Sequence, residues 1–350
     1  MEFTIGKRKI GPGQPVFIIA EMSGNHNHSI NRAKAIIDAA AAAGVDAIKT
    51  QTYTPDTITI DCDNKYFQVT VNKDWAGKTL YQLYQEAYTP WEWQAELKRY
   101  AEEKNLIFFS TPFDPTAVDF LKDLGVDVYK VASFEIVDIP LLKKIAQTKK
   151  PVIVSRGMAS REEIDLAIKT LRDYGTPVIA LLHCVSSYPA TPDQMNLSTI
   201  PFLAREFPVI AGLSDHTLGT TAAVAAVSLG ARVIEKHVTV DRAAGGPDAA
   251  FSLEPNELLQ LVRAIREAEQ AIGVPTLGSG SKKEAENIVF RKSLMVVSDI
   301  KQGEPFTEKN IRSIRPGYGL APKYYEEILG KVAASDITRG TPLTWEHIRK

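Results

Sequence analysis

The chain has 350 residues, room for one large domain and a small one, and a formal net charge of −1 with 24 % charged residues, so it offers no broad basic field to nucleic acid or an anionic membrane. Its longest apolar runs, at 15–20 and 36–45, fall well short of the ~20 residues of a membrane helix, and the first twenty residues lack the apolar core and cleavage site of a secretion signal. Cys62 and Cys184 are the only cysteines, which argues against a disulfide framework and for a reducing, cytoplasmic compartment. A small-molecule partner suits this balance.

From residue 15 to about 270, short β-branched runs alternate with helical patterns, the sequence form of repeated βα units on a parallel sheet. Eight runs read as strands: Val16–Ala20, Ala47–Gln51, Ile107–Thr111, Val128–Ala132, Val152–Ser155, Val178–His183, Val209–Leu213 and Val233–His237. Helices are expected over Ile30–Ala43, Trp91–Lys104, Thr116–Leu124, Ile139–Thr148, Arg161–Tyr174, Thr220–Leu229 and Asn256–Ile272. Eight such units favour a closed TIM (β/α)8 barrel over an open sheet. Thr89-Pro90-Trp91-Glu92 reads as a capping box with proline at the first helical position, and Gly44 as a left-handed helix end. Between the second strand and Pro90 runs a long connection, 52–89, rich in Asp, Asn, Thr and Tyr; a loop of that length in a compact domain is expected to cover a substrate.

After Gly273 the texture changes to Gly, Ser and Lys, so the barrel is assigned to 1–275, a linker to 276–290 and a second, β-rich domain to 291–350. An Asp-Ile-x-x-Gly pattern occurs twice there, at 299–303 and 336–340. Two copies are too few for a solenoid.

In a barrel of this kind the reacting groups come from the C-terminal ends of the strands, and polar residues collect there. Glu21 ends the first strand, Lys49 and Gln51 the second, Ser110 and Thr111 the third. Lys130, Ser133 and Glu135 follow at the fourth, Ser155-Arg156-Gly157 at the fifth, and His183 with Ser186, Ser187 and Tyr188 at the sixth. Ser214-Asp215-His216 ends the seventh and Glu235-Lys236-His237 the eighth. Alternation along a strand puts Lys49 with Gln51, Ser214 with His216, and Glu235 with His237 on one face. Five of the six histidines lie at these ends, which random placement would not produce.

His216 and His237 come from neighbouring strands, near enough for both imidazoles to hold one divalent ion and leave positions open for a substrate oxygen. There is no HExxH or Cys-rich metal pattern to set beside them. Lys49 and Lys130, with the hydroxyls of Thr111, Ser133 and Ser155, make a cradle for phosphate and carboxylate. No GxxxxGK[ST] loop occurs, so a nucleoside triphosphate is not expected.

The runs Phe17-Ile-Ile-Ala-Glu21, Lys49-Thr-Gln-Thr-Tyr-Thr-Pro-Asp56, Ser110-Thr-Pro-Phe113, Tyr129-Lys-Val-Ala-Ser-Phe-Glu135, Leu213-Ser-Asp-His-Thr217 and Ile234-Glu-Lys-His237 resemble the sialic acid synthases over nearly the whole chain. Ile314-Arg-Pro-Gly-Tyr-Gly319 resembles their C-terminal antifreeze-like (SAF) domain. Within the family, Gln-Thr-Tyr-Thr-Pro-Asp, Ala-Ser-Phe-Glu, Val-Ser-Ser-Tyr-Pro and Phe-Ser-Leu-Glu-Pro are most similar to the pseudaminic acid synthase branch.

That resemblance implies a manganese ion on His216 and His237, and phosphoenolpyruvate bound by Lys49, Thr111, Lys130, Ser133 and Ser155. Glu21 would act as acid/base or position water, and Gln51, Glu135, Tyr188 and Asp248 would touch the sugar; Ser186 and Ser214 are counted with the substrate-binding set. Arg315 would reach the acylamino group in the other subunit's barrel, through tails that cross over in a symmetric homodimer. The reaction implied is condensation of phosphoenolpyruvate with a 2,4-diacetamido-2,4,6-trideoxy hexose to a nonulosonic acid and phosphate. Neuraminate or legionaminate synthesis, a metal aldolase, and a non-catalytic sugar-phosphate-binding barrel are the alternatives. Two positions depart from the family pattern: Arg156, where relatives carry Thr, and Ser186, where the neuraminate branch has Asn. The first could strengthen a phosphate contact or block it.

Overall fold

The computed structural model describes residues 2–70 and 75–349. Two compact units result, Met1–Gly273 and Val274–Lys350.

The first unit opens with an antiparallel hairpin, β1 (Phe3–Ile5) and β2 (Arg8–Ile10). Eight parallel strands then close into a barrel: β3 (Phe17–Glu21), β4 (Ala47–Thr52), β5 (Ile107–Pro112), β6 (Tyr129–Val131), β7 (Val152–Ser155), β8 (Ile179–Cys184), β9 (Ile210–Asp215) and β10 (Val233–His237). These are the eight expected runs, and β10 closes the ring by pairing with both β3 and β9. Almost every strand residue is buried, because each strand packs outward on helices and inward on its neighbours' side chains; hence runs such as Phe17-Ile-Ile-Ala lack the polar alternation of a half-exposed strand.

The helices are α1 (Ile30–Ala43), α2 (Pro55–Ile58), α3 (Leu80–Ala87), α4 (Trp91–Glu103), α5 (Pro115–Leu124), α6 (Ile139–Ala146), α7 (Arg161–Asp173), α8 (Thr199–Glu206), α9 (Thr221–Ser228) and α10 (Pro255–Ile272). Local chemistry sets their ends. Ser29 caps α1 through Arg32 N, Gly44 closes it at φ 80°, and Ser160 with Glu163 forms a capping box on α7. The box expected at Thr89 does not form: Pro90 is the N-cap of α4 and makes no side-chain cap, because the Thr89 hydroxyl is committed to His26 Nε2 at 3.0 Å. α8 was not expected, and α2 and α3 give the 52–89 connection its own structure; residues 71–74 of that connection lie outside the described residues.

In the second unit the segment expected as linker carries α11 (Lys282–Glu286), capped by Ser281. Beyond it β11 (Ser293–Val296) pairs antiparallel with β12 (Ile311–Ile314), and α12 (Tyr325–Ile328) covers a core that includes Leu294, Phe306 and Leu343. The two Asp-Ile-x-x-Gly copies face each other. Ile300 and Ile337 exchange backbone hydrogen bonds of 2.9 and 2.8 Å, Asp299 accepts from Arg339 N, and Asp336 accepts from Gln302 N. The repeat in sequence is therefore a local two-fold pairing. Among the described residues, no helix is long and apolar enough to cross a membrane.

Candidate active site

A cavity of about 330 Å³ opens at the C-terminal ends of the barrel strands, the size of a small-molecule pocket. Register builds its floor. Glu21 lies opposite both Lys49 and His237, Gln51 opposite Thr111, and Glu235 opposite Ser214, so alternate residues of adjacent strands point inward together.

On the floor Lys49 Nζ sits 2.6 Å from Glu21 Oε2 and 3.9 Å from Glu235 Oε1, and donates to Thr111 Oγ1 at 3.1 Å. Lys130 Nζ lies 3.8 Å from the same Glu235 oxygen and donates to Ser155 Oγ at 2.7 Å. Ser214 Oγ donates to Glu235 Oε1 at 3.2 Å. All four ionisable groups are nearly sealed from solvent, so the cluster is stable only because its lysines and carboxyl groups sit together. Burial opposes the charge on Lys49, but Glu21 and Glu235 outweigh it and hold its pKa above the usual value. On Lys130 burial wins, against the pull of Glu235, and the pKa falls. Glu21 is pushed up to about 7 by burial, against Lys49 and with help from Glu235. Glu235 itself is held low, because Lys130, Lys49 and His216 together overcome its burial.

Beside this floor stand the two imidazoles, His216 and His237, with ring centroids 5.2 Å apart. His216 Nδ1 is 2.9 Å from Val185 O, a contact that places the proton on Nδ1 and leaves Nε2 free as a donor atom. His237 Nδ1 is buried with no hydrogen-bond partner and lies 3.8 Å from Asp248 Oδ2. Burial, then the neighbouring His216 and Lys49, hold the His237 pKa well below normal, so its ring is neutral, the form that binds metal. The neutral His237 ring, with its unsatisfied buried nitrogen, and the Nε2 of His216 beside it suit a divalent ion. Among the described residues, no group of three or more metal-ligating side chains occurs.

A polar chain links the two halves: Gln51 Nε2 donates to Glu21 Oε1 at 3.0 Å and to Ser23 Oγ at 3.2 Å, and Ser23 Oγ donates to Asp248 Oδ2. Tyr188 packs tilted against His216, ring centroids 4.5 Å apart, and Glu135, lifted to about 7 by burial, keeps one buried oxygen without a partner.

Of the expected site residues, Glu21, Lys49, Gln51, Thr111, Lys130, Ser133, Glu135, Ser155, Tyr188, Ser214, His216, His237 and Asp248 all line this one cavity. Ser186 does not; its hydroxyl donates to Ser133 Oγ at 2.9 Å from behind. Arg315 follows β12 in the second unit and is exposed. Arg156 neither reaches the cradle nor blocks it. Its guanidinium bonds Gly157 O at 2.9 Å and His183 Nδ1 at 2.8 Å, because the residue after Ser155 must point away from the barrel axis. Gly157 turns the chain there at φ 49°, where a Cβ would stand 2.6 Å from Ser133 Cβ. Three strand-end histidines are structural: His26 pairs with Thr89, His28 with Gln85 O, and His183 with Met195 O.

Sequence reasoning gave no role to Glu235, although it placed that residue on the His237 face. Charge balance was the available signal, since two buried lysines require buried carboxylates. It also passed over Ser23, Cys184 and the apolar wall of Tyr53, Ile58, Leu83, Tyr84 and Phe113, which periodicity cannot distinguish from core.

A closed parallel barrel with its ionisable groups gathered at one strand-end cavity is the architecture of the (β/α)8 enzymes. The NeuB family matches residues 36–276 and the SAF domain residues 291–349. The chain is 44 % identical over 328 residues to the pseudaminic acid synthase of Campylobacter jejuni subsp. jejuni serotype O:2, covering 94 % of this chain and 95 % of that one. It is 41 % identical over 337 residues to the pseudaminic acid synthase of Helicobacter pylori, covering 96 % and 99 %. Among solved structures, the N-acetylneuraminic acid synthetase of Leptospira borgpetersenii superposes with a TM-score of 0.72 at 38 % identity, covering 82 % of this chain and 95 % of that one. This chain belongs to the NeuB family.

Proposed function

We propose that this chain is a pseudaminic acid synthase, condensing phosphoenolpyruvate with a 2,4-diacetamido-2,4,6-trideoxy hexose of the altrose type to a nonulosonic acid and phosphate. The observation that carries the reading is the juxtaposition, in one cavity, of the Lys49/Lys130 floor with the His216/His237 pair. The floor suits a small dianion, and the imidazoles suit the carbonyl that it attacks.

Lys49 and Lys130, with Thr111, Ser133, Ser155 and Ser214, hold the phosphate and carboxylate of phosphoenolpyruvate and fix its methylene carbon toward the sugar. That carbon attacks the aldehyde, forming the new carbon–carbon bond and leaving cationic character at C2. Water adds at C2, and the carbon–oxygen bond then breaks to release phosphate. Glu21, with a pKa near neutrality, is able to take the proton of that water and return one to a sugar oxygen. Gln51, Glu135, Tyr188 and Asp248 orient the sugar. A divalent ion, manganese by expectation, would be held by His216 and His237 and would supply Lewis-acid polarisation of the aldehyde. Arg315 is assigned to the acylamino group in the partner's barrel of a cytoplasmic homodimer.

Phosphate release is the test. With manganese and phosphoenolpyruvate, diacetamido-trideoxy hexoses should release phosphate faster than N-acetylmannosamine, and heavy oxygen placed at the bridging position of phosphoenolpyruvate should appear in the phosphate. No release with any acylamino sugar would remove the enzyme reading, and label retained in the sugar product would remove carbon–oxygen cleavage.

A further inference from the structure

The same cavity also has a wall of different chemistry. The connection between β4 and α4 contributes Tyr53, Ile58, Leu83, Tyr84 and Ala87, and β5 is followed by Phe113. Leu83, Tyr84 and Ala87 lie on one face of α3, and Tyr53 packs edge-on against both Tyr84 and Phe113, with ring centroids 5.6 and 5.1 Å apart. None of these side chains is ionised at neutral pH. Both phenols stand against buried carboxylates, Tyr53 near Asp248 and Tyr84 near Glu135, and burial raises both their pKa values. Neither phenolic hydroxyl has a hydrogen-bond partner among the described residues. Trp75 bounds the wall on one side, its indole N–H already committed to Pro247 O at 3.1 Å.

We propose that this wall is the receptor for the second acylamino group of the sugar, the one remote from the group assigned to Arg315. The proposal rests on the reading of the chain as a pseudaminic acid synthase. With the anion on the lysine floor and the aldehyde at the imidazole pair, the sugar chain runs outward past the connection that follows β4. What meets it there is two phenolic hydroxyls set among aliphatic carbon. A phosphate or carboxylate would find no cation. A lone hydroxyl would satisfy a phenol but leave Ile58, Leu83 and Ala87 facing nothing apolar. An amide bearing a methyl group uses both surfaces: the amide oxygen or N–H pairs with a phenol, and the methyl packs on Ile58 and Leu83. The wall is thus a specificity determinant between diacetamido and monoacetamido hexoses and takes no part in bond making.

The experiment compares two sugars that differ only at that carbon, acetamido against hydroxyl, by steady-state phosphate release from the full-length protein. Wild-type enzyme should prefer the acetamido sugar by at least about tenfold in kcat/KM. Tyr84→Phe, which removes one hydroxyl and keeps the ring, should cut the preference about fivefold, and Ile58→Ala about tenfold. Both effects should fall on the KM of the acetamido sugar, with the phosphoenolpyruvate KM unmoved. Wild-type enzyme given an N-formyl analogue, which lacks the methyl, should lose about as much as Ile58→Ala, a measurement independent of variant folding. Equal losses on the two sugars, or an N-formyl analogue as good as the acetamido sugar, would overturn the inference alone. A wild type that releases phosphate with no diacetamido hexose would overturn the functional reading, and the inference with it.

Discussion

Glu235→Gln isolates the charge that holds the two lysines together. Glu235 Oε1 lies 3.9 Å from Lys49 and 3.8 Å from Lys130. At an effective dielectric of about 20 each contact is worth roughly 4 kcal/mol of gross attraction, most of which is offset by desolvating the carboxylate. Removing one partner of a buried ion pair costs about 3–5 kcal/mol net. Glutamine keeps the volume and the Ser214 hydrogen bond, and Glu21 still neutralises Lys49, so the low end, about 3 kcal/mol, is expected. For a domain as long as Met1–Gly273 that is a fall in Tm of about 5 °C. The same substitution leaves the cradle one positive charge richer, so phosphoenolpyruvate, by supplying the missing negative charge, should raise the variant's Tm more than the wild type's. Differential scanning fluorimetry with and without phosphoenolpyruvate reads both effects. A variant as stable as wild type, with an equal ligand shift, would refute the claim that Glu235 is the counter-ion of the floor.

Glu135 supplies a pH test. Its folded pKa of about 7 stands above the ordinary 4.5, so its contribution to stability is fully present below pH 4.5 and is lost as pH rises through 7. At about 1.4 kcal/mol per unit, the stability of wild type relative to Glu135→Gln should drop by about 3 kcal/mol between pH 4.5 and pH 8; urea midpoints that keep a constant gap would count against its burial as a carboxyl. His237→Ala should abolish manganese-dependent turnover and weaken manganese binding measured by paramagnetic resonance, while the Tm changes little, since the ring lines a cavity and not the core. Full wild-type activity after complete chelation would contradict the metal role. Arg315→Ala should raise the sugar KM about tenfold or more and leave the phosphoenolpyruvate KM alone; an unchanged sugar KM would remove that assignment.

The barrel strands were legible because a strand buried on both faces is an uninterrupted β-branched run, and Val152–Ser155 and Val233–His237 were located to the residue. Helix α1 was equally plain over Ile30–Ala43, with Gly44 after it. The end of α4 was read less well, since a Thr-Pro-Trp-Glu string has the form of a capping box whatever its hydroxyl is bonded to, and only the packing shows that Thr89 serves His26. Short helices inside the 52–89 connection were missed because α2 is a single turn and α3 about two, too short for a helical period to show in the sequence. Site residues at strand ends were legible for a topological reason: in a barrel, the C-terminal strand ends share one opening.

What the chain alone determined, then, was local and periodic. It contained the eight runs, the inward parity that puts Lys49 with Gln51 and Glu235 with His237, and the echo in the tail that became a two-fold pairing. Tertiary structure decided which inward groups touch. Closure of the barrel set Glu235 between two lysines from β4 and β6, turned Arg156 and His183 outward to each other, and brought a tyrosine wall into the same cavity as the charges. Those outcomes depend on strand register and on distances between residues far apart in sequence, and a one-dimensional pattern carries the side to which a residue points but not the partner it meets there.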